Sequence, residues 1–114
     1  MTSIYFDDLP SFLPITYSIY KVQNVTEKKA LDGLKENQNN SWLFRYDYIT
    51  KKYFLTIKNY DEYINHHVYY YNKNTDEVII FTSDQTAETF PTLEDFINEM
   101  NKIYGFDLDK QIFI

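Results

Sequence analysis

Apolar positions along the chain repeat in two ways, every three to four residues in two segments and every second residue in several others. Thr26 opens a run in which Val25, Ala30, Leu31 and Leu34 share one face of a helix, and the polar run 37–40 closes it. A second helix is the clearest element. Thr92 is a good N-cap with Asp95 three residues on, and Leu93, Phe96, Ile97, Met100, Ile103 and Tyr104 recur at helical spacing until Gly105. Between them lie strand-like stretches over 42–46, 53–57, 66–71 and 78–81, separated by Lys-rich and Asn/Asp-rich links of meander length. The tail 106–114 alternates loosely, as a last short strand would. This order predicts an α+β domain: a central antiparallel sheet of three to four strands flanked by two α-helices.

Residues 1–16, with Asp7, Asp8, Pro10 and Pro14, show no periodicity and read as an extended arm. Its Phe6, Leu9, Phe12, Leu13 and Ile15 are apolar enough that part of it is expected to pack on the domain. The division is an arm over 1–19 and one domain over 20–114. A chain of 114 residues buries a core without a metal or a disulfide, and with no cysteine there is neither a thiol nor a Cys-based zinc site. The first twenty residues lack a basic segment followed by an apolar run, and no stretch reaches the roughly 18 apolar residues of a membrane span. The expectation is a soluble, cytoplasmic monomer without cofactor or membrane partner.

Charge narrows the partners further. The net charge of −6 excludes the basic footprint that a nucleic-acid backbone demands. Residues 21–58 nevertheless carry eight Lys or Arg against four acids, while 59–114 carry three against eleven. A small basic region on an acidic body fits one compact anionic ligand.

Arg45 is the one arginine of the chain, set inside the apolar run Ser41-Trp42-Leu43-Phe44-Arg45-Tyr46-Asp47. A buried unpaired charge is costly, so an anion must meet it: a carboxylate of the protein, with Asp47 nearest, or a ligand oxyanion. Strand alternation puts Leu43, Arg45 and Asp47 on one face and Trp42, Phe44 and Tyr46 on the other. His66 and His67, adjacent on a strand, point to opposite faces and do not make a metal pair. With no P-loop, no His-x-x-x-His pair and no cysteine nucleophile, nothing supports an enzyme.

The chain resembles the Src-homology-2 family over about residues 20–114. Trp42-Leu43-Phe44-Arg45 is similar to the family's Phe-Leu-Val-Arg strand, and Tyr53-Phe54-Leu55-Thr56-Ile57 to the strand that follows it. His67 is similar to a histidine lining the phosphotyrosine pocket, Phe90-Pro91-Thr92-Leu93 to the entry into the second helix, and Gly105-Phe106 to the Gly-Leu after it. The resemblance implies a non-catalytic module that recognises phosphotyrosine in peptides or proteins. Arg45 is then the phosphate anchor, Thr50, Lys51 and Lys28 further phosphate contacts, His67 and Tyr69 walls for the ring, and Val68 and Ile80 the peptide groove. The sequence departs from the family where Asp47 replaces a phosphate-contacting serine and Glu27 a phosphate-contacting arginine. The alternative is an interaction domain of the same fold whose pocket is closed by an Arg45–Asp47 ion pair. The Asn, Lys, Tyr and Ile bias also looks like proteins of intracellular bacteria or large viruses that borrow host signalling folds, which implies an effector acting in a host cytosol.

Overall fold

A computed structural model describes residues 20–60 and 62–114, so the expected packing of the arm lies outside the described residues. The elements are β1 (Val22–Asn24), α1 (Glu27–Lys35), β2 (Trp42–Asp47), β3 (Lys52–Lys58), β4 (Tyr63–Val68), β5 (Tyr70–Asn72), β6 (Glu77–Phe81), β7 (Ala87–Phe90) and α2 (Leu93–Tyr104). They build a four-stranded sheet in the order β1-β2-β3-β4 and a three-stranded sheet in the order β5-β6-β7. The architecture is α+β as expected, but the strands differ from the single antiparallel sheet expected. The stretch read as one strand over 66–71 divides at Tyr69 between β4 and β5, so the strands form two sheets; β1 joins β2 in parallel, which makes the larger sheet mixed; and β7 falls between 81 and the second helix, where no strand was expected.

Both helices begin where their caps are. The Thr26 side chain accepts from the Lys29 amide, and that of Thr92 from the Asp95 amide, satisfying a donor that the first helical turn leaves free. α2 stops at Gly105, whose φ of 71° is the left-handed conformation that only glycine adopts without penalty.

The larger sheet is buried on both faces at β2, whereas Asn65 and His67 on β4 are exposed. Leu43 joins Val25, Ala30, Leu34 and Ile112 in a small cluster under α1. On the other face Trp42, Phe44, Leu55 and Ile57 meet Leu93, Phe96, Ile97 and Met100 of α2, with Val78, Ile80 and Phe90 of the smaller sheet. Phe96 sits at the centre of that core, edge-on to both Phe44 and Phe90. The tail after α2 adds a single bridge, Gln111 beside Trp42, rather than a full strand. The Trp42 indole N–H donates to the Asp107 carbonyl at 2.8 Å and fixes the tail there.

Candidate anion site

The register of the larger sheet sets Arg45, Phe54 and His67 side by side on β2, β3 and β4. Two residues along each strand, Leu43, Thr56 and Asn65 form the neighbouring row on the same face. Arg45 is therefore planted on the α1 face, as strand alternation predicts, and is only 1% exposed. Its guanidinium lies over the Phe54 ring, 4.7 Å from the ring centre.

All three of its guanidinium nitrogens donate within the fold. Nε donates to Thr56 Oγ1 at 2.8 Å, Nη1 to the Val25 carbonyl at 3.4 Å and to Asp47 Oδ2 at 3.2 Å, and Nη2 to Asn65 Oδ1 at 3.2 Å. Thr56 also donates to Asn65 Oδ1 at 2.7 Å, so the two neutral partners hold each other in place. Asn65 in turn donates to the Glu27 carboxylate at 3.4 Å, which brings the first turn of α1 to the edge of the network.

Asp47 closes the arrangement. Its Oδ1 accepts the backbone N–H groups of Ile49 at 2.9 Å and Thr50 at 3.2 Å, while Oδ2 faces Arg45. Burial pushes the Asp47 carboxyl up, but the Thr50 and Ile49 amides and the Arg45 guanidinium outweigh it and hold it below the usual range. Three donors thus converge on one carboxylate, the kind of donor set that takes an oxyanion.

The residues singled out in the sequence are placed unevenly around this centre. His67 flanks Phe54, with ring centres 5.5 Å apart, and burial together with the nearby Lys52 charge lowers its pKa. Thr50 contributes its backbone amide, and Lys51 sits in the tight turn with φ of 61°, its amide bonded to the Asp47 carbonyl. Lys28 turns along α1 to pair with Asp32 at 3.2 Å rather than toward Arg45. His66 points to the opposite face, where its Nδ1 meets the Tyr104 hydroxyl at 2.9 Å.

Tyr69 does not extend the His67 face. β4 ends at Val68, and Tyr69 packs edge-on against Phe81 with ring centres 4.7 Å apart, both rings exposed. Val68 and Ile80 are core residues, 1% and 3% exposed, so the surface beside them is formed by Tyr69 and Phe81. Thr56 and Asn65, which orient the guanidinium, were missed in the sequence. Thr56 carried a signal, a polar residue inside the apolar run of β3, whereas Asn65 lies before the stretch expected as a strand and carried none.

Comparison with known proteins finds no matching family model, no matching curated protein and no matching solved structure.

Proposed function

We propose that this chain is a non-catalytic module that binds phosphotyrosine in peptides or proteins, organised like a Src-homology-2 domain, with Arg45 as phosphate anchor. The observation that carries the reading is the convergence of the Arg45 guanidinium and the Ile49 and Thr50 amides on a single anionic group. A phosphate, with more acceptor oxygens and about −1.5 to −2 charges near neutral pH, is suited to take those donors from Asp47. Thr56 and the Val25 carbonyl keep the guanidinium aimed while its partner changes. The phenyl ring then lies along Phe54 and His67 with Lys52 at the rim, and the residues after it cross β4 toward Tyr69 and Phe81. Phosphotyrosine as ligand sets the work of the module in a cytosol where tyrosine kinases act, as for an effector inside a host cell.

A second reading is favoured by the burial of Arg45 itself. With Asp47 permanently in place, the domain is an interaction module on the same scaffold that ignores phosphate.

Fluorescence-polarisation titration of a degenerate phosphotyrosine peptide pool separates the two, using wild type, Arg45→Ala and Asp47→Ser, each checked for folding by circular dichroism. The first reading expects saturable, phosphate-dependent binding that Arg45→Ala abolishes and Asp47→Ser strengthens by roughly tenfold or more, since one competing charge is removed. Absence of binding by folded wild type and by folded Asp47→Ser alike would leave only the closed module.

A further inference from the structure

The larger sheet carries a second recess on the face opposite Arg45, at the end that α2 does not cover. Val22 and Asn24 of β1, Tyr46 of β2, Tyr48 of the following turn, Tyr53 of β3, Tyr71 of β5 and Lys73 after it line a cavity of about 650 Å³. We infer that this recess is a binding site for a flat aromatic ring carrying an anionic group, of mononucleotide size or smaller. The inference stands apart from the proposed phosphotyrosine site, because neighbouring residues Arg45 and Tyr46 project to opposite faces of β2.

The walls supply the ring contacts. Tyr46 and Tyr53 lie 4.9 Å apart in a tilted pair, and Tyr53 and Tyr71 stand edge to face at 5.3 Å. Tyr71 is held rigidly: its hydroxyl donates to Asp76 Oδ1 at 2.7 Å, and Asp76 Oδ2 accepts the Leu93 amide at the start of α2. A fixed ring makes a better stacking platform than a mobile one, because less freedom is lost on binding.

The polar groups decide the charge of the ligand. Among the described residues, the hydroxyls of Tyr46, Tyr48 and Tyr53 meet no hydrogen-bond partner, although Tyr46 and Tyr53 are half-buried. Burial, with Tyr46 next to it, raises the pKa of Tyr53, so that hydroxyl stays a donor at neutral pH. Asn24 and Lys73 add further donors, and no carboxylate lines the recess among the described residues. An aromatic cage for a quaternary ammonium would not carry a lysine at its mouth. Ring walls, donors and one cation together match an aryl anion.

A two-dimensional amide NMR titration of the full chain tests this, with adenosine 5′-monophosphate and naphthalene-2-sulfonate as probes and ribose 5-phosphate as the control without an aromatic ring. The expected result is saturable shifts at Asn24, Tyr46, Tyr53 and Lys73, distinct from those of Arg45, Phe54 and His67. Tyr48→Ala and Lys73→Ala, at exposed positions, should each weaken binding roughly tenfold without unfolding the protein. The inference is overturned if neither aromatic probe gives saturable shifts in this cluster, or if ribose 5-phosphate shifts it as strongly as adenosine 5′-monophosphate does.

Discussion

At the scale of single residues, Arg45 and Asp47 form a pair whose halves do not tolerate separation. Removing the guanidinium takes a donor from a buried carboxylate and from three neutral acceptors, so Arg45→Ala should cost about 3–5 kcal/mol in urea unfolding. Arg45→Ala combined with Asp47→Ala should cost clearly less than the two single changes added, since no lone charge is left behind. Additive costs would show that the ion pair is not the link between them. Acid should act on the same site and on His66. Burial, with the charge of His67 next, lowers the His66 pKa, and Asp47 is lowered by its donors. Both groups bind protons more tightly when unfolded, so the stability they contribute is present above the unfolded values, about 6.5 and 3.9. It is lost as pH falls through the folded ones. Thermal melts from neutral pH downward should therefore show a falling midpoint, first from the histidines, since the His67 pKa is lowered as well, and later from Asp47. His66→Phe should flatten the upper part of that curve, and a wild-type curve level down to about pH 5 would sink the histidines' share of it.

At the scale of elements, legibility followed how much of each element is buried. α2 could be read because Leu93, Phe96, Ile97 and Met100 all turn inward between a capping threonine and a left-handed glycine. β2 could be read because its apolar run is core on both faces, and β3 because Leu55 and Ile57 alternate into the core on one. β7 could not, since Ala87, Glu88 and Thr89 are exposed and only Phe90 is buried. β1 is three residues long and owes its place to pairing with β2 rather than to any pattern of its own. The break at Tyr69 was invisible too, because an unbroken aromatic run conceals where the chain leaves one sheet for another. In the anion site the sequence exposed the cation and its carboxylate, while the orienting pair Thr56 and Asn65 needed the strand register. One joint between elements has a measurable strength. Asp76 ties Tyr71 to the first turn of α2 through its two oxygens, so Asp76→Ala should cost about 2 kcal/mol, and Asp76→Asn less because one acceptor oxygen remains. Equal losses for Ala and Asn in chemical denaturation would mean that the charge, not the two-way contact, holds the joint.

At the scale of the whole molecule, the uneven charge should shape which partners arrive. The Arg45 site belongs to the half with the cationic surplus, but it is surrounded by a body carrying eleven acids over residues 59–114. The field of that body acts over roughly a Debye length and, on the proposed phosphotyrosine reading, would be felt by the flanks of a bound segment more than by its phosphate. Tyr69 and Phe81, where those flanks are proposed to run, lie on the acidic half of the chain. Phosphotyrosine peptides with Lys or Arg after the phosphotyrosine should therefore associate several-fold faster than otherwise identical peptides with Glu there. Stopped-flow association rates at about 20 mM and about 300 mM salt give the check, because screening should shrink the difference toward unity. A preference for basic flanks that survived high salt would instead indicate a direct short-range contact, and the carboxylates nearest Tyr69 and Phe81 would be the ones to mutate. No preference at low salt would mean that the acidic body takes no part in recruiting the ligand.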